Sequence, residues 1–160
     1  MSRSAWAALA FGGVTGGATC AAAVASRLWA RSSANAVRQL LSAKSRTLAP
    51  VFGLETLEGL PSPVARYFEF ALSPGQPIIR SALIQQTGEF RMGDLGAPWK
   101  PISAVQHVST DPIGFVWDAA IRMAPFLAVR VRDTYIDGAG SMQARLDSLI
   151  PVMDQTSRRN

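Results

Sequence analysis

At 160 residues the chain has room for one domain of ordinary size, and its 17% of charged residues is low for a soluble domain, where about a quarter is usual. One cysteine and one histidine exclude a disulfide framework, a four-cysteine metal site and a cluster of imidazole ligands, so no metal or cofactor is expected. The net charge of +5 sits in the first third, with six cations and no acid up to Leu54, then ten cations against eleven carboxylates from Glu55 onward. A nearly neutral remainder lacks the basic surface that phosphates demand, which argues against nucleic acid as a partner.

Ser4 to Ser26 is a run of 23 residues without a charged side chain, long enough at about 1.5 Å per residue to cross a bilayer core of about 30 Å. Its larger apolar side chains are Trp6, Leu9, Phe11, Val14 and Val24, set among Ala, Gly and Thr, which insert less readily. Residues 1–30 read as a single-pass anchor in the cell membrane, or as a signal peptide cut after Ala23-Val24-Ala25 with export of the domain. A retained anchor, with five cations on its C-terminal side against Arg3, favours a cytoplasmic domain; a cleaved signal places it outside.

Residues 31–53 read as a basic juxtamembrane helix and linker. Arg27, Arg31, Arg38, Lys44 and Arg46 interleave with Trp29, Val37, Leu40 and Leu41 at helical spacing, with Ser33 as a cap and Trp29 at headgroup depth. A solvated connecting helix fits the same pattern.

Residues 54–160 form the β-rich domain. Ser62 as cap, Pro63 in the first turn and Val64, Tyr67, Phe68, Ala71 and Leu72 on one face predict a short helix packed on a sheet. From Pro77 the apolar period becomes two. Ile78–Met92, Trp99–Thr110, Gly114–Met123, Leu127–Asp137 and Ser141–Ile150 read as five strands, and their short connections predict an antiparallel meander, mainly β with N-terminal helices, part of a larger half-barrel. The odd-numbered apolar positions of the third and fourth strands require pairs with an even sum, Asp118 across from Arg132 and Phe115 across from Tyr135. A Gly138-Ala139 turn then sets Arg130 against Asp147. The last strand is expected to be an exposed edge, because Pro151 lacks the N–H of a further rung.

No phosphate loop, dinucleotide fingerprint, nucleophile elbow or HExxH pattern occurs. His107 lies mid-strand, as a hydrogen-bonded sheet residue would. Asp118, Arg122, Arg130, Arg132 and Asp147 make a charged face, either solvated ion pairs or a polar lining for an anion or headgroup. Asp133 falls on the apolar face beside Trp117 and Tyr135, where a carboxylate needs a partner. The binding candidates are thus Trp117, Asp118, Arg122, Arg132, Asp133 and Tyr135.

The segments Leu60-Pro61-Ser62-Pro63-Val64-Ala65-Arg66-Tyr67, Gly75-Gln76-Pro77-Ile78-Ile79-Arg80, Gly114-Phe115-Val116-Trp117-Asp118-Ala119 and Val129-Arg130-Val131-Arg132-Asp133 resemble an uncharacterised bacterial family of unknown function. The resemblance implies an N-terminal membrane helix in many members and further strands past Ile150, which would make this chain a truncated copy; it brings no known activity. The expected function is a membrane-associated β-domain holding a lipophilic ligand or membrane partner on its apolar sheet face. The alternatives are an enzyme using Asp133 or Asp118 as acid or base, and a remnant without independent activity. Oligomeric state stays open.

Overall fold

Strand-forming alternation and two-residue turns dominate from residue 77, and the chain folds accordingly. The computed structural model describes the backbone of residues 3–42 and 50–158, with side chains from residue 20. The elements are α1 (Arg3–Ser42), a 3-10 turn (Leu54–Leu57), α2 (Ser62–Ala71), β1 (Ser81–Arg91), β2 (Trp99–Thr110), β3 (Ile113–Ala124), β4 (Leu127–Ile136), β5 (Ala139–Leu146) and β6 (Ile150–Arg158). The six strands form one open antiparallel sheet in chain order, the mainly β meander that the alternation predicts.

The β3–β4 register places Asp118 opposite Arg132 and Phe115 opposite Tyr135, as the even-sum argument requires. Two rows across β2 to β5 make the core: Ala104, Ala119, Val131 and Ala144, then Ile102, Ile121, Val129 and Leu146. Small and β-branched side chains in laterally paired positions bury one another without a long aromatic between them.

Three expectations fail. The β4–β5 turn is Asp137-Gly138, with φ of 51° and 75°, the mirror-image turn that Asp-Gly favours. Arg130 consequently faces Arg145, while Asp147 lies past the end of β5 and closes a false rung, its N–H donating to the Ala128 carbonyl and its Oδ1 accepting from the Ala128 N–H at 2.9 Å. Second, Ser141–Ile150 is not the edge, because β6 pairs with β5. Pro151 is accommodated where the register shifts between Ala144 and Arg145, on the outermost strand of the sheet among the described residues, so its missing N–H costs little. Third, α2 leans on the 3-10 turn rather than on the sheet, and Val64 and Tyr67 stay exposed.

The N-terminal reading is also revised. One helix runs unbroken from Arg3 to Ser42, so Ser33 is interior and caps nothing. Among the described residues no helix is long and apolar enough to cross a membrane. The anchor candidates Trp6, Leu9, Phe11 and Val14 lie outside the residues whose side chains are described, as do Lys44 and Arg46, while Val24 is half exposed. Trp29 does not face lipid headgroups: it is 4% exposed, against the sheet.

Ala22, Ala25, Trp29, Ser33, Ala36, Val37 and Leu40 make the sheet-facing stripe of α1 at steps of three and four. Small residues bring the helix close, and Trp29 and Leu40 fill what remains. Leu40, 1% exposed, fits only because β3 carries Gly114: a Cβ there would lie 2.5 Å from the Tyr135 carbonyl oxygen and 2.7 Å from Leu40 Cδ1.

Candidate functional site

Even-numbered residues of β3 and β4 project to the face that α1 covers, which the sequence marks as the charged one. Covering a charged face demands that every charge be met, and the helix supplies the means. Trp29 Nε1 donates to Asp118 Oδ2 at 3.0 Å, and Ser33 Oγ donates to the same oxygen. Arg132 lies across the rung from Asp118, its guanidinium 4.6 Å from the Trp29 ring centre. It donates to Ser33 Oγ at 3.1 Å and to Gln143 Oε1 at 2.6 Å. Burial pulls the Arg132 pKa below its ordinary value, and the Asp118 carboxylate opposes that pull. The chain Gln143, Arg132, Ser33, Asp118, Trp29 clamps α1 over β3 and β4.

Beside the clamp, between α1 and β1 to β3, lies an open cavity of about 650 Å³. Ala30, Ala34 and Val37 wall it from the helix and Val105, Val116 and Ala120 from the sheet, while His107, Asp118 and Arg130 reach it from the sheet. Pockets for small ligands fall in the range of about 300–1,000 Å³, mostly apolar with a few convergent polar groups. Arg130 is the group with capacity to spare. Its Nη2 is 3.9 Å from Asp118 Oδ1, and its Nε is buried without a hydrogen-bond partner.

The sequence candidates divide between the two sides of the sheet. Asp118 and Arg132 meet on the helix side, where Arg122 is exposed at the far end. Trp117, Asp133 and Tyr135 share the other side, in successive rungs. Trp117 Nε1 donates to Gln86 Oε1 at 2.8 Å. Asp133 sits between Trp117 and Met142 and lines a second cavity of about 580 Å³ with Asp154 and Gln155. The sequence reading places Trp29 and Ser33 in a juxtamembrane segment; the three-and-four spacing from Ala22 to Leu40 is the signal that puts them on one sheet-facing stripe. Among the described residues no group of three or more His, Cys, Asp or Glu could hold a metal ion.

A family model described as a family of unknown function, DUF6920, matches residues 58–160. The chain belongs to DUF6920. Comparison with curated proteins and with solved structures found no match. The matched part of this DUF6920 protein includes the whole sheet but not α1, so the cavity is built from the family domain on one wall and the preceding helix on the other.

On the opposite side of the DUF6920 sheet, burial holds the Asp133 carboxyl above the usual carboxylate range, against a hydrogen bond from the Thr134 backbone. The folded state therefore binds its proton more tightly than the unfolded one, and stability falls as pH rises from the unfolded value of about 3.9 through the folded one. Asp133→Asn, uncharged at every pH, should match the wild type in acid and exceed it in thermal midpoint at neutral pH; melting curves across that range check this.

Proposed function

We propose that the protein is a membrane-associated β-domain that binds a single-chain amphiphile with an anionic head in the cavity between α1 and β1 to β3. The observation that carries the reading is the cavity's lining: apolar small residues on both walls, with the partly exposed Arg130 guanidinium at one side, its Nη2 3.9 Å from Asp118 Oδ1 and beyond hydrogen-bond distance. The acyl chain lies between Ala34 and Val37 of the helix and Val105 and Val116 of the sheet. The head accepts hydrogen bonds from Arg130, whose partner Asp118 is already occupied by Trp29 and Ser33. This moves the site from the apolar sheet face, the place expected from sequence, to the covered polar one. It also leaves Asp118 little freedom to act as an acid or base.

Fluorescence of cis-parinaric acid tests the reading. Saturable binding should be displaced by oleate and far less by oleyl alcohol. Arg130→Gln should weaken it about tenfold or more, the worth of a charge-assisted hydrogen bond of about 1.5–3 kcal/mol. Ala34→Phe, which fills the cavity, should abolish binding without lowering the thermal midpoint. Non-saturable uptake, or equal affinity in all three proteins, would overturn the proposal.

A further inference from the structure

The meander puts alternate connections at opposite ends of the sheet. The β1–β2, β3–β4 and β5–β6 turns share one end; the β2–β3 and β4–β5 turns share the other. At the first end, each of the three tips carries an exposed apolar side chain: Leu95, 86% exposed, Phe126, fully exposed, and Leu149, 43% exposed. Phe126 is the telling one. It follows Pro125 at a two-residue corner with φ of 62°, a conformation that suits glycine and disfavours a bulky residue. Its ring is fully exposed and gains no packing from the fold in return.

Helix α1 reaches this same end. Ala22 and Ala23 lie near Phe126 and Ala128, Leu28 lies near Leu149, and Leu40 lies near Gly114 at the opposite end. The helix thus runs along β4 in the same sense, and the uncharged run Ser4–Ser26 enters the domain at the three tips. Val24 and Leu28 add two more exposed apolar side chains there. Arg27, Arg91, Lys100 and Arg122 flank them, against Glu89, Asp94 and Asp147, the last bound to the Ala128 backbone. At the other end the turns are Asp111-Pro112 and Asp137-Gly138, where Ile113 is exposed too, at 75%, but beside Asp111 and Asp137.

We infer that the end formed by the three hairpin tips rests on an anionic lipid bilayer, with Leu95, Phe126 and Leu149 dipping below the headgroups and the cations among the phosphates. The inference rests on the membrane association proposed above and adds the face and orientation of contact. Adjacent tips are two strands apart, about 10 Å, so the three make a row about 20 Å wide. A row of separate apolar points with cations beside them fits a planar, deformable surface, which accommodates each point independently.

The test uses the full chain with Cys20→Ser and single cysteines at Leu95, Phe126 or Leu149, and at Ile113 or Asp137 as controls on the other end. Each is labelled with an environment-sensitive fluorophore and mixed with vesicles of phosphatidylglycerol and phosphatidylcholine, or of phosphatidylcholine alone. The three tip positions should shift to the blue and be quenched by brominated lipid in the anionic vesicles, while positions 113 and 137 report water in both. If the protein floats with vesicles but all five positions report water, the orientation is overturned and membrane association stands. If tip and control positions respond alike, the orientation is also overturned. If the protein does not float with either vesicle, both fall.

Discussion

Trp29→Ala should lower the free energy of unfolding by about 3–5 kcal/mol, the range for removing a buried aromatic. Three separate losses converge on this residue. The indole is almost completely enclosed between helix and sheet, its N–H satisfies Asp118, and its ring carries the Arg132 guanidinium. With it gone, Asp118 and Arg132 face the helix with part of their partnership missing. Trp29→Phe, which keeps the ring and loses the N–H, should cost about 1–2 kcal/mol. Urea denaturation followed by circular dichroism gives both values. Equal losses in the two variants would mean that the hydrogen bond, not the packing, holds α1 in place.

Asp118→Ala should cost about 2–4 kcal/mol, because the carboxylate is the sole acid of the clamp and its removal leaves the Trp29 N–H without its acceptor and Arg130 and Arg132 without the negative charge that faces them. The group keeps one-fifth of its exposure, so water offsets part of the loss. Asp118→Asn preserves the shape and an acceptor for Trp29 but turns N–H groups toward Arg130, and should fall between wild type and alanine. Combined with Trp29→Phe, it should cost less than the two single changes added together, since each removes the same bond. Strict additivity would show that the two residues do not interact across the helix–sheet interface.

The sheet was legible in the sequence because its information is local. Alternation in Phe115 to Met123 and Leu127 to Tyr135 determines a face, parity determines the register, and Asp118 meets Arg132 as a result. The misread turn had a local signal too, the Asp137-Gly138 pair, whose mirror-image geometry displaces the β4–β5 pairing by one rung. Pro151 misled for a physical reason: a missing N–H is prohibitive in a central strand and harmless at an edge bulge, and sequence does not say which side of a strand will be free.

The site was harder to read because it depends on which face of the sheet the helix covers. An aromatic-rich face and a charged face compete for a helix, and apolar burial favours the first. Here Trp29 and Ser33 offer hydrogen-bond donors that make the charged face habitable, while the apolar rows fill themselves with Ala, Val and Ile. Trp29, taken alone after an uncharged run, looks like a residue for the membrane interface. Its place in the Ala22 to Leu40 stripe assigns it to the sheet.

The cavity between α1 and the sheet is the proposed binding site, and photo-crosslinking tests its location most directly. A fatty acid carrying a diazirine near its methyl end, irradiated with the full-length protein and mapped by mass spectrometry, should label Ala34 or Val37 of α1 and Val105 or Val116 of the sheet, with labelling suppressed by excess oleate. Labelling confined to Trp117, Tyr135 and Met142 on the opposite side, or labelling that oleate does not suppress, would contradict it.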